Sequence, residues 1–166
     1  MTIELARPEH YEAICAVIAE VDAVHREQLP DVFCERRGPV RPRELLVQRM
    51  SGPESAVLVA LEDAAVVGVL EILMKPPPDR DGLVPRRVAL IDNVVVRASH
   101  RGRGIGTKLI ARAESWAIEQ GAVAIELNVW STNTSAKRLY ESLGYVTRLV
   151  RMERSLERKP SGRGQE

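Results

Sequence analysis

The run Arg101, Gly102, Arg103, Gly104, Ile105, Gly106, Thr107 constrains this chain more than any other feature, because of what flanks it. Before it, residues 88–97 are an apolar stretch that predicts a strand. After it, Ile105, Leu109, Ala113, Trp116 and Ala117 recur at three- and four-residue spacing, opposite Lys108, Arg112, Ser115 and Glu119. That pattern predicts an amphipathic helix over residues 104–120, stopped by Gly121. A strand that turns into a helix leaves the helix's first N–H groups unpaired and its partial positive charge exposed, so an anion fits there. Glycines at 102, 104 and 106 remove side chains that would hold a phosphate off the backbone, and they allow positive φ. Arg101 and Arg103 can add charge-assisted bonds. The alternative is an ordinary glycine-rich turn with solvated arginines.

Two other phosphate loops do not match. A dinucleotide fingerprint needs G-x-G-x-x-G, but Thr107 stands where the third glycine should be, and the glycine arrives one residue early. A nucleoside-triphosphate loop needs Gly-Lys-Ser/Thr, whereas Lys108 follows Thr107 and precedes Leu109.

The rest of the chain supplies elements to surround this unit. Residues 2–6 predict a short strand, and Pro8 opens a helical pattern carried by Tyr11, Ile14, Cys15, Ile18 and Val21. Residues 24–39 hold no steady period and read as an irregular cleft wall, followed by a short helix over 43–50. Residues 56–61 and 66–74 read as a hairpin, and the proline-rich stretch 75–87 as a long exposed loop. Beyond Gly121, residues 122–130 predict a strand, 133–143 a helix stopped by Gly144, and 145–154 a closing strand. Antiparallel strands followed by two strand-to-helix alternations define an α/β layered domain. Its expected extent is residues 1–154, with 155–166 a polar, flexible tail.

Length and charge set the remaining bounds. With 166 residues and 45% hydrophobic content the chain suits one compact domain. Its net charge of +1 gives no reason to expect nucleic acid or an anionic membrane as partner. Charges or prolines break every apolar run before a membrane-spanning length, so no membrane span is expected. Two cysteines, Cys15 and Cys34, and an opening that lacks a basic-then-apolar leader, fit a reduced, cytoplasmic setting. His10, His25 and His100 lack metal-ligand spacing and read as surface or capping residues, so no metal is expected. Trp116 and Trp130 read as core fillers.

The motif Arg101-x-x-Gly104-x-Gly106 at the start of a helix, after the strand at 91–96, resembles the acyl-CoA signature of the GNAT superfamily of N-acetyltransferases. A second segment, with Asn133, Ala136, Leu139, Tyr140, Glu141, Gly144 and Tyr145, is similar to that family's N-x-x-A-x-x-x-Y-x-x-x-G-F/Y stretch. Together the matches cover about residues 89–152 in the family's order. The resemblance implies an α+β fold: a mixed, largely antiparallel sheet of six to seven strands and about four helices. It also implies a V-shaped splay between the strands at 88–97 and 123–130.

The resemblance further implies acetyl-CoA as co-substrate. Its pantetheine would pair with backbone groups of Val94 and Val96, with Val95 between them. Its pyrophosphate would lie on Arg101, Gly102, Arg103, Gly104, Ile105, Gly106 and Thr107, and Asn133, Ala136 and Tyr140 would face the pantetheine and sulfur. Transfer to a primary amine requires the amine to lose a proton and the departing thiolate to gain one. Tyr140 suits the donor role, since a phenol stays protonated at neutral pH, although it also lies on the apolar stripe Ala136, Leu139, Tyr140, Leu143. Asp92 interrupts an apolar strand and is a candidate base whose burial would raise its pKa, unless Asp92 and Asn93 simply form a turn. Glu71 is the fallback base, or else a solvated strand residue.

Neither cysteine has a histidine beside it in sequence, so direct attack in a ternary complex is expected over an acyl-cysteine route. The acceptor is a small-molecule or peptide amine of unspecified identity, read by residues 24–49, the loop 75–87 and the closing strand. A homodimer is the assembly such relatives suggest. The alternative function is a non-catalytic acetyl-CoA-binding regulatory module, since a cofactor site does not guarantee chemistry.

Overall fold

The structure, a computed structural model, describes residues 1–35, 37–78, 81–154 and 156. Five strands form one sheet in the order β1-β2-β3-β4-β5: β1 Thr2–Leu5, β2 Ser55–Glu62, β3 Ala65–Lys75, β4 Val88–Val96 and β5 Ala124–Leu127. The first four pair antiparallel, and β5 joins β4 in parallel. Asp63 and Ala64, at φ 49° and 65°, close β2 onto β3 with the two-residue turn that suits the strands' twist.

Alternation along the central strands divides the apolar residues between two cores. Leu58, Leu70, Ile72, Ala89 and Ile91 face helix α3 (Ile105–Glu119) and its residues Leu109, Ala113 and Trp116. Val57, Val59, Val69 and Val95 face helix α1 (Tyr11–Gln28), with Ile14, Val17 and Ile18, and helix α2 (Arg43–Ser51), with Leu46. The fourth helix, α4 (Thr134–Ser142), lays Leu139 and Tyr140 against the α3 side. Among the described residues, no helix is long and apolar enough to cross a membrane.

The fold is the mixed sheet with four α-helices expected, but with five strands among the described residues rather than six or seven. Residues 145–154 form no strand, and Val146, Leu149, Val150 and Met152 lie exposed. Val146, Val150 and Met152 share one face of an extended chain, but Arg148 and Arg154 fall on that face too and Leu149 lies on the other, so neither face is cleanly apolar. β5 is also shorter than residues 122–130, because its pairing with β4 ends at Ile91 and Leu127. Helix α1, in contrast, continues to Gln28 through the start of the stretch read as irregular; Ala23, Arg26, Glu27 and Gln28 sustain it, and no proline lies between Tyr11 and Pro30. Of the expected tail at 155–166, all but Leu156 lie outside the described residues.

Candidate active site

β4 changes parity in its middle. Glu71 pairs with Asn93 and Ile72 with Ile91, so Asp92 is the extra residue of a β-bulge. Before the bulge Ala89 and Ile91 face α3; after it Val94 and Val96 do, while Val95 turns to the α1 side. Without the bulge, Val95 would occupy the α3 face. Asp92 and Asn93 therefore belong to a continuous strand and are not a hairpin turn. The last register pair between β4 and β5 is Ile91 with Leu127, immediately before the bulge, and beyond it β4 has no strand partner on this side, which leaves a gap in the pairing. The Arg97 N–H donates to the Val67 carbonyl on β3. By alternation, the backbone groups of Val94 and Val96 face away from β3, toward the gap.

At the end of β4 the chain passes through a 3-10 turn, Ala98–His100, into the glycine loop. Gly102 and Gly104 have φ of 75° and 74°, and Cβ atoms there would meet nothing within 4 Å, so both glycines are required by conformation rather than by crowding. Gly106 differs from the expectation: it lies in the first turn of α3 without positive φ, and a Cβ there would make only an ordinary contact with Leu139 of α4, at 3.5 Å. Ile105 is buried, so it offers only its backbone to a ligand. The first intrachain bond of the helix is Lys108 N–H to the Gly104 carbonyl. The N–H groups of residues 102–107 have no acceptor among the described residues, which makes six consecutive donors turned out around a helix N-terminus. Arg101 Nε donates to the Val96 carbonyl at 3.2 Å. Arg103 and His100 both reach the Glu62 carboxylate, at 3.4 and 3.1 Å.

On the opposite face of β4, Glu71 is 1% exposed and is the only buried charged residue among those described. It is not a solvated strand residue. Arg49 Nη1 donates to its Oε2 at 2.7 Å, Arg41 Nε lies 3.5 Å from Oε1, and Asn93 Nδ2 donates to Oε1 at 3.4 Å. The same Arg49 nitrogen donates to Asp92 Oδ2 at 2.6 Å. Burial disfavours charge on Arg49, but its bonds to Asp92 and Glu71 outweigh that and raise its pKa. Asp92 is not buried as expected; its side chain is 41% exposed, because the bulge turns it out of the sheet. Sequence reasoning missed Arg49 and Arg41. The available signal was a carboxylate within the apolar run of β3, which demands a cation nearby, and an arginine-rich stretch before β2 to supply it.

On the α3 side, Tyr140 packs with Leu139 and Leu143 against the same core as Val94 and Val96. Burial raises its phenol above the usual tyrosine range, so it is protonated at neutral pH. Asn133 caps α4, its side chain accepting from Ala136 N–H at 3.1 Å, which also occupies the Ala136 donor. The α1 side of the gap holds a cleft of about 220 Å³ whose walls include Asp22, His25, Phe33, Arg41, Asp92 and Trp130. Trp130 is 44% exposed rather than a core filler, and His25, read as a surface or capping residue, stacks on Phe33. No cluster of His, Cys, Asp or Glu suited to a metal occurs among the described residues.

Comparison with known proteins is specific: the profile of the acetyltransferase (GNAT) family matches residues 19–145, and the chain belongs to that family of acetyl-CoA-dependent N-acetyltransferases. Streptothricin acetyltransferase of Escherichia coli is 30% identical over 131 residues, covering 78% of this chain and 70% of the relative. Among the curated relatives it matches, the chain spans from 22% to 70% of their length. The tetramutant of the BH1408 protein from Bacillus halodurans shares the fold with a TM-score of 0.87 at 26% identity, over 94% of this chain and 100% of the other. Aminoglycoside N-acetyltransferase AAC(6')-Iy, solved in complex with CoA, is similar in fold at a TM-score of 0.65 and 19% identity, over 93% of this chain and 100% of that one.

Proposed function

We propose that this chain transfers the acetyl group of acetyl-CoA to a primary amine by direct attack in a ternary complex. The observation that carries the reading is the run of six acceptor-free N–H groups at 102–107, placed directly after a strand whose outer edge is open. A diphosphate satisfies the first, and an extended amide chain satisfies the second. Acetyl-CoA supplies an acyl group activated as a thioester.

In this reading the N–H groups of Gly102 to Thr107 hold the pyrophosphate. Val94 and Val96 pair with the pantetheine through backbone groups facing the gap, and Val95 anchors the strand on the α1 core. Asn133 and Ala136 shape the far wall by fixing the start of α4. Arg101 supports the loop from the Val96 carbonyl, and Arg103 is shared with Glu62. Backbone N–H groups at the bulge polarise the thioester carbonyl. Tyr140, protonated at neutral pH, gives its proton to the sulfur as the C–S bond breaks, while the new C–N bond forms.

Asp92 takes the proton lost by the amine, directly or through water. Its exposure on the cleft favours it over Glu71, which is enclosed by Arg49, Arg41 and Asn93 and serves to hold those groups in place. The acceptor thus approaches from the α1 face and the cofactor from the α3 face, meeting where β4 and β5 part. The streptothricin and aminoglycoside enzymes act on small-molecule amines, which supports a small-molecule acceptor here.

A thermal-shift titration with acetyl-CoA, with ATP and NAD as controls, tests the cofactor site. A hundredfold excess over the dissociation constant adds about 2.7 kcal/mol of stability. Thiol release with an amine panel then tests turnover. Tyr140→Phe is expected to lower kcat by about tenfold or more with the acetyl-CoA shift unchanged. Full activity in that variant would remove Tyr140 from the chemistry, and binding without turnover of any amine would leave a regulatory module.

A further inference from the structure

We infer that Glu62 competes with the phosphates of acetyl-CoA for the Arg103 guanidinium, so that this carboxylate loosens the cofactor rather than helping to hold it. The inference adds a control on the glycine-loop site and rests on the transferase reading above.

The first ground is where Glu62 lies. Along β2, Leu58 and Ala60 face the α3 core while Val59 and Leu61 face the α1 core, so alternation puts Glu62, the last residue of the strand, on the α3 side. Its pairing with Ala65 across the Asp63–Ala64 turn fixes it there. The glycine loop that opens α3 is on the same side, and Arg103 and His100 both reach Glu62 from it. The hairpin thus carries a negative charge to the rim of a loop whose six acceptor-free N–H groups suit an anion. A carboxylate in that place opposes a diphosphate by like-charge repulsion.

The second ground is how the two loop arginines are engaged. Arg101 donates to a neutral acceptor, the Val96 carbonyl. Arg103 Nη1 donates to Glu62 Oε2 at 3.4 Å, long for a charge-assisted bond, and the two side chains are 58% and 36% exposed. Such a pair contributes little to stability and exchanges at low cost. A phosphate offers the same guanidinium two oxygens at once, which is the stronger arrangement. His100 Nε2 lies closer to the same Glu62 oxygen, at 3.1 Å, and a hydrogen bond of 2.8 Å between Ser99 Oγ and Nδ1 holds its ring. Glu62 therefore keeps a neighbour when Arg103 turns to the cofactor.

The test measures the acetyl-CoA dissociation constant by calorimetry in wild type, Glu62→Gln, Arg103→Met and the double variant. Glu62→Gln is expected to bind about three- to fivefold tighter, the scale of an exposed ion pair. Arg103→Met is expected to bind about threefold weaker, and adding Glu62→Gln to it should recover less than about twofold, because the two residues act through one another. A Glu62 that merely braces the loop gives the opposite sign. Unchanged or weaker binding in Glu62→Gln overturns the inference, as does a gain equally large without Arg103, which would be direct repulsion of the phosphates. Binding by wild type with no gain in Glu62→Gln refutes the inference alone, whereas acetyl-CoA binding by none of the four proteins refutes the transferase reading and this inference with it.

Discussion

One guanidinium nitrogen of Arg49 reaches both Glu71 and Asp92, so this side chain ties α2 to the bulge from which β4 opens toward the gap. Arg49→Met would leave the Glu71 carboxylate 1% exposed, with Arg41 at 3.5 Å as its remaining cation. We expect a loss of about 2–4 kcal/mol, read by urea denaturation, since removing one partner strands a buried charge. Arg49→Lys should recover part of it. The need for a partner was legible in the sequence, because a carboxylate inside the β3 apolar run cannot be left alone. Its identity was not, since Arg49 lies 22 residues away and only the packing of α2 brings it there. Asp92 failed in the other direction: an apolar run predicts burial, but the extra residue of a bulge turns outward.

The strand, loop and helix at 88–119 form the element whose sequence was most informative. Two glycines with positive φ, an apolar stripe and a helix start coincide, and each signal is local. Gly104→Ala is expected to cost about 1–2 kcal/mol of stability through left-handed backbone strain. It should also weaken acetyl-CoA binding about tenfold or more by turning the N–H groups, as measured by calorimetry. Unchanged affinity would show that the loop does not hold the pyrophosphate. Gly68 had no sequence signal of this kind. A Cβ there would lie 3.1 Å from Leu109 and 3.2 Å from Ile105, so β3 lets the start of α3 approach closely and thereby sets where the loop points. The closing segment shows the limit of local patterning. Residues 145–154 are apolar enough to suggest a strand, but arginines interrupt the face that Val146, Val150 and Met152 share, and β5 offers an open edge only four residues long.

Across the whole molecule, the sheet separates two cores, and the α3 core is finished at its rim by Tyr140 and Tyr145, whose rings lie 5.8 Å apart. Burial raises both phenols, and Glu114, which accepts from the Tyr145 hydroxyl, raises the second further. Groups with folded pKa above the unfolded value of about 10 contribute fully below that pH, and the contribution is lost as pH rises through the folded values. Tm should therefore fall as pH rises above about 10, and Tyr145→Phe should flatten that fall in scanning calorimetry. By itself the sequence determined the layered α/β class, the glycine loop, the hairpin and the placement of Tyr140 on an apolar stripe. Each is written in residues close together along the chain, where periodicity, helix caps and glycine conformation act. Tertiary structure alone decided the bulge at Asp92, the Arg49 clamp and the meeting of Phe33 with Trp130, far apart along the chain, because contacts at such separations depend on how the sheet and helices pack.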